Sequence, residues 1–419
     1  MSKMLPPPGL PRAIAFQSAV IAVGSGTFLT GSVVFFTHVL GLSPVQIGIG
    51  LSLAGLVGLV GSLPLGGLGD RLGGKRSWVI GALVEAVAFA TYPLARSFAA
   101  FLVLMVVEAA ADTFANVGRT MYTAEAIPAE TRVRTMAFAR AYLNIGFTIG
   151  AGLGAAALAL NSTSALIGMV LLNSAGLVIN AVVVARLPAV PTATGVRVKV
   201  GRLAVLRDHP YLAVSVLLAV LWFHGVLFTE IIPLWAITHT DVPKPVLGAL
   251  FALNTVMAVA LQVPATRGAD TLTGTVRLLR RSAWASAIAC PMVAFSGMTH
   301  GLLTIAVLAL AVVLTTATEL WSSAAQWFIQ TDVPPAEQRG SYVGAGRMIG
   351  SAGKMIAPAG LTLLAIQTGG WGWWLIAAIF VACAFAAQSA IGWVARTPRV
   401  GGPIPIQRTS PNPASEPAV

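Results

Sequence analysis

Pro128-Ala129-Glu130-Thr131-Arg132 recurs as Pro335-Ala336-Glu337-Gln338-Arg339, 207 residues further along the chain. At the same offset Arg140 falls on Arg347, Gly146 on Gly353 and Asp112 on Glu319. A looser echo at an offset of 200 pairs Asp70, Leu72 and Gly74 with Asp270, Leu272 and Gly274. A chance five-residue match would not keep its arginine, glycine and acid partners in register, so the chain reads as two halves in parallel repeat.

Composition says what the halves are made of. Of 419 residues 56% are hydrophobic and only 10% charged, with a mean hydropathy of +0.83. Soluble domains carry about 25% charged residues, so a water-facing surface could not be covered. Crossing a bilayer takes about 20 mainly apolar residues. Such stretches predict twelve transmembrane helices, at 13–37, 44–67, 77–95, 98–123, 134–158, 165–187, 210–238, 245–265, 276–297, 301–329, 340–365 and 371–395. The expected organisation is a six-helix bundle over 1–187, a basic linker at 188–209, a second six-helix bundle over 210–395 and a disordered tail at 396–419.

The balance of 26 Lys and Arg against 14 Asp and Glu invites a nucleic-acid reading, which position rejects. Basic nucleic-acid binders gather their cations into a patch on a soluble fold. Here 23 of the 26 fall in segments that share one side of the membrane if the N-terminus is cytoplasmic. That is the positive-inside pattern of a multi-pass inner-membrane protein with both termini cytoplasmic. Arg96 and Lys244 fall on the other side, and Lys354 falls within a span. Cys290 and Cys383 lie far apart inside apolar runs, which argues against a disulfide framework or metal site.

The loop after the second span reads Gly66-Gly67-Leu68-Gly69-Asp70-Arg71-Leu72-Gly73-Gly74-Lys75-Arg76. It resembles the signature of the major facilitator superfamily at this position, and the helix count and repeat extend the resemblance over residues 13–395. Within that superfamily, the Glu319 helix, the Gln338-Arg339-Gly340-Ser341-Tyr342 stretch and Arg207-Asp208 are similar to proton-coupled multidrug antiporters. The fifth span, Asn144-Ile145-Gly146 to Gly150-Ala151-Gly152, resembles the antiporters' glycine-rich motif without its proline. The resemblance implies a latch at Asp70 and Arg71 that holds the outward-facing state, the alternative being a solvated turn. Arg140 and Arg347, one or two turns into their helices, are read as latch partners, with interfacial snorkelling the competitor.

Five acids fall within predicted spans: Glu85, Glu108, Asp112, Glu230 and Glu319. A charge near the bilayer centre costs about 2.5–3.5 kcal/mol on insertion scales, which makes each a functional candidate. Glu108 and Asp112 are four apart on one helical face, where like charges oppose and a shared proton relieves them. Glu319 is the repeat-mate of Asp112, so Asp112, Glu319 and Glu108 are the proton-coupling candidates. Glu85 and Glu230 are read as reaching an interface or a local partner.

Lys354, the one mid-span cation, needs an inward acid or an anionic substrate group if it faces the centre. His224 is titratable near neutrality, though a packing histidine is the plainer reading. Lys354, Tyr142, Asn144, Trp222, His224, Glu230, Trp321 and Gln326 are the expected substrate-cavity residues. Phe28, Phe35, Phe36, Phe228, Trp235, Asn254 and Gln262 are further wall candidates, and Trp371, Trp373 and Trp374 are assigned to the interfacial aromatic belt.

The resulting expectation is a monomeric secondary transporter exchanging protons for small amphipathic or hydrophobic compounds by alternating access, with no cofactor and no nucleic-acid partner. A transporter of one polar or anionic metabolite is the alternative, and a non-transporting membrane sensor a third. An enzyme is disfavoured because no nucleophile–base set, metal-ligand spacing or cofactor loop is present.

Overall fold

A computed structural model describes residues 5–190 and 204–398. All regular structure among them is helical. The first half forms α1 (Leu10–His38), α2 (Pro44–Leu72), α3 (Gly74–Leu94), α4 (Phe98–Ala126), α5 (Ala129–Ala159) and α6 (Thr163–Arg186). The second forms α7 (His209–His239), α8 (Lys244–Leu261), α9 (Leu272–Ser296), α10 (Leu302–Asp332), α11 (Ala336–Gln367) and α12 (Gly372–Arg396). Ten of the twelve are long and apolar enough to cross a membrane. Of the other two, α8 has only 18 residues and α9 carries Arg277, Arg280 and Arg281 in its first turns. Twelve spans return the chain ends to one end of the bundle, called here the terminal end; the opposite end is the distal end. The expected linker and tail fall largely outside the described residues, at 191–203 and 399–419.

Local chemistry sets the helix starts. Ser43 caps α2 through Gln46 N at 3.3 Å while the Gln46 side chain accepts from Ser43 N at 2.9 Å, a reciprocal capping box. Ser97, Ser162, Asp208 and Thr271 each accept a bond from the first turn of α4, α6, α7 and α9. Helix α5 begins five residues before the expected 134 because Pro128 is its N-cap and Glu130 lies in its first turn. Gly73, at φ 84°, makes the break between α2 and α3 that an L side chain would resist. Helix α7 is not uniform: it takes a π turn over Leu227–Ile231, as α11 does over Leu363–Gln367.

The two halves repeat the same packing. In the first, α1 packs on α5 and α6, and α3 on α4 and α6; in the second, α7 packs on α11 and α12, and α9 on α10 and α12. Small residues permit the closest approaches. Along α5, Gly146 and Gly150 lie against the backbone of Ala19 and Val23 in α1, and Thr27 Oγ1 donates to Gly150 O at 3.0 Å.

Between halves the main junction is α2 on α11, with α5 on α8 as its repeat-related counterpart. At its terminal part Gly66 and Gly340 abut through their backbones, and Gly344 lies against Ser62. Towards mid-span the approach loosens, with Gly58 beside Ser351 and Gly55 beside Met355. Among the described residues, the side-chain bonds between halves made by Asp70, Arg132 and Arg140 lie between the terminal end and mid-span. The described residues therefore form a bundle sealed at its terminal end.

Several expected wall residues belong instead to the core of one half. Phe35 and Phe36 are buried, with Phe36 edge-on to Phe101 at 5.1 Å and Phe28 edge-on to Phe89 at 4.9 Å. Trp235 is buried, stacked on His239 at 4.0 Å and edge-on to Trp373 at 5.8 Å. Trp373 therefore leaves the aromatic belt, whereas Trp371 and Trp374 are exposed. The physical reason is common to all five corrections: helical spacing gives depth in the membrane, and the neighbouring helices decide which side of a helix is inside.

Candidate functional site: a charged centre between the halves

Helices α4, α5, α7, α10 and α11 bring ionisable side chains together near mid-span. Arg140 Nη2 of α5 donates to Glu319 Oε1 of α10 at 2.8 Å, an ion pair across the halves. Asn254 of α8 also reaches Glu319 and donates to Thr316 Oγ1 at 2.9 Å. The buried His224 ring feels the charges of both Glu319 and Arg140, with Nδ1 2.6 Å from Leu221 O. Arg140 thus serves the centre, not the latch to which it was assigned. Its partner is an acid 179 residues away in the sequence.

Asp112 accepts from Asn116 Nδ2 of its own helix at 2.6 Å, and Arg347 and Lys354 of α11 lie within its field. Arg347 is therefore also a centre residue and not a latch partner. The register of α11 explains its reach. Gly344, Ser351 and Met355 face α2, and Gly346 and Gly353 face α7. Arg347 and Lys354, two turns apart on one face, fall between those contacts. Lys354 Nζ sits 4.8 Å from the centroid of the Trp222 ring and feels Asp112 and Arg140 in the other half. Arg119 of α4 donates to Ser18 Oγ at 3.1 Å, its Nε is buried without a bond, and its electrical neighbours are Arg140 and Arg347.

A second group lies in the first half. Glu85 of α3 interacts electrostatically with both Asp112 and Glu108, and Glu108 with Asp112. Glu85 thus has the two α4 acids as local partners. The other expected cavity residues divide. Asn144 lies one turn beyond Arg140 on the same face of α5, while Tyr142 is turned to the far side; both are half-buried. Glu230 and Gln326 are exposed, and Trp321 packs against the core of the second half.

The terminal gate is separate. Asp70 accepts from Gly340 N at 2.6 Å, Ser341 N at 2.9 Å and Ser341 Oγ at 2.6 Å. Its carboxylate caps the start of α11, where free N–H groups and the helix dipole favour an anion. Arg71, beside it, is exposed. Arg132 Nη1 donates to Asp332 Oδ1 at 2.7 Å across the halves and binds Ala124 O and Ile127 O. Arg339 lies in the field of Glu125. At the offset of 207, Arg132 corresponds to Arg339 and Glu125 to Asp332, so the two charge couples are symmetry-related. That signal was present in the repeat, whereas nothing in the sequence marked Ser18 or Asn116.

The family model of the Major Facilitator Superfamily matches residues 14–358. A search of curated proteins returned no match. Among solved structures, a bacterial homologue of the iron transporter ferroportin in its outward-facing state is similar at 13% identity and a TM-score of 0.71, covering 93% of this chain and 100% of that one. The E. coli fucose:proton symporter FucP is similar at 13% identity and TM-score 0.70, covering 91% and 98%. The proton:xylose symporter XylE is similar at 14% identity and TM-score 0.69, covering 91% and 95%.

Proposed function

The chain belongs to the major facilitator superfamily, and on that premise we propose that it is a proton-coupled secondary transporter of a small molecule, working by alternating access. In this reading the terminal end faces the cytoplasm of a bacterial-type cell, the two halves rock about the central charges, and the protein acts as a monomer. The observation that carries it is the set of carboxylates Glu85, Glu108 and Asp112, held in one another's field, of which Asp112 lies in the field of Arg347 and Lys354 across the junction of the halves. Groups so placed exchange protons when the opposing cations or the solvent access change. Glu319, tied to Arg140, serves in this scheme as the hinge of charge between the halves, and Asp112 with Glu108 as the proton carriers.

Two cargoes stand on different support. Export of amphipathic or hydrophobic compounds rests on the resemblance of Gln338–Tyr342 and the Glu319 helix to multidrug antiporters. A polar or charged metabolite rests on the centre itself, where nine ionisable side chains meet; hydrophobic-ligand pockets use mainly apolar walls with few polar groups. The second is better supported, and the two sugar symporters of the same fold accord with it.

Proteoliposomes with a trapped pH dye test the coupling. Substrate addition under an imposed pH gradient should move protons, and Glu108→Gln with Asp112→Asn should abolish that movement. Substrate flux that is indifferent to the gradient and to both substitutions would refute proton coupling.

A further inference from the structure

We propose that the centre binds an organic anion, a carboxylate with an aromatic body, and that the anion binds together with protons taken up by Glu85, Glu108 and Asp112. The inference rests on the transporter reading above and narrows its cargo.

Charge accounting leads to it. Arg140 is neutralised by Glu319 at 2.8 Å, and Arg347 faces Asp112. Among the described residues none of Arg119, Arg347 and Lys354 has a carboxylate at ion-pair distance. Arg119 bonds a neutral hydroxyl and keeps a buried Nε without a partner; Lys354 rests on an aromatic face. Unpaired cations in a low-dielectric centre are costly, and an anionic ligand removes that cost.

The remaining acids balance the count only when all of them are ionised. Glu85, Glu108 and Asp112 make three like charges in one group, and each proton they accept leaves one cation of the centre uncompensated. Proton loading and anion binding therefore favour one another, and both ligands travel the same way. The surroundings leave few other groups to intervene. Helix α2 has no ionisable side chain between Pro44 and Gly69, and α6 none before Arg186. Tyr92 beside Glu108, Arg347 and Lys354 on α11, Arg119 on α4, Arg140 on α5, His224 on α7 and Glu319 on α10 are the other ionisable groups of the centre.

Shape gives the rest. Arg347 and Lys354 are seven residues apart, about 10 Å along α11. A carboxylate at Lys354 draws the ammonium off the ring of Trp222, an exposed residue, and frees that face to stack on an aromatic body. A cationic substrate is disfavoured, because it would add to the charges of Arg119 and Lys354, which already lack a carboxylate at ion-pair distance.

The test uses the purified full-length protein and three probes of similar size: benzoate, benzylammonium and benzyl alcohol. Benzoate should raise the melting temperature, with at least tenfold tighter binding at pH 5.5 than at pH 7.5. Lys354→Gln should weaken benzoate at least tenfold while Lys354→Arg retains it, and Glu108→Gln should flatten the pH dependence. Stabilisation by benzylammonium and not by benzoate, no stabilisation by benzoate, or benzoate binding unchanged in Lys354→Gln would each overturn the anion site. In proteoliposomes, benzoate binding without benzoate-driven proton flux would refute the transporter reading and leave the anion site standing. Proton flux driven by benzylammonium or benzyl alcohol alone would do the reverse.

Discussion

Asp70 shows how much one side chain does at the gate. It satisfies three donors at the start of α11 from the opposite half, and hydrogen bonds to a charged group contribute about 1.5–3 kcal/mol each. Asp70→Asn keeps the shape and loses the charge, so it should shift the balance away from the sealed terminal end by about 2 kcal/mol, roughly thirtyfold. Spin-label distances between α2 and α11 at that end would measure the shift, and Ser341→Ala should give a smaller one. Asp70 was legible in the sequence because its glycine-rich surroundings mark it. Arg140 and Arg347 were assigned to the same gate because sequence position gives their depth but not their partners. Glu319, which decides Arg140's role, lies in another half of the chain.

Helices divide along the same line. Their number and order were readable from apolar length. The inward faces were not, because an apolar residue suits lipid and protein core equally well; Trp373 and Phe35 are the cost of that ambiguity. The α2–α11 junction depends on the absence of side chains, since a Cβ at Gly344 would overlap Ser62 O and one at Gly66 would overlap Gly340 O. Gly344→Leu should therefore hold the terminal end apart without unfolding either six-helix group. The expected readout is a cysteine placed at Ser62 that becomes reactive to a water-soluble maleimide from the terminal side, with substrate flux reduced more than tenfold. Gly168→Leu, where open space lies around the glycine, should leave both unchanged.

At the scale of the whole molecule the repeat makes the gate double. Arg132 with Asp332, and Arg339 with Glu125, are the same couple seen from the two halves. Removing one partner of a buried pair costs about 3–5 kcal/mol because the other charge is stranded. Asp332→Asn should thus destabilise the sealed state, and the exchange Arg132→Asp with Asp332→Arg should recover much of the loss; thermal unfolding of the single and double variants in detergent measures both.

The seal itself has an electrical consequence. From Asp70 to the contact of Gly55 with Met355, α2 is closed against α11 over about 22 Å of helix, most of the roughly 30 Å of hydrocarbon. A membrane voltage falls where the dielectric is thick and dry, hence across this plug. Lys354 lies at its inner edge, next to the Met355 contact. The roughly 2.3 kcal/mol per charge per 100 mV is therefore exerted on charges carried past this plug, and on the rearrangement that transfers the plug from one end of the bundle to the other.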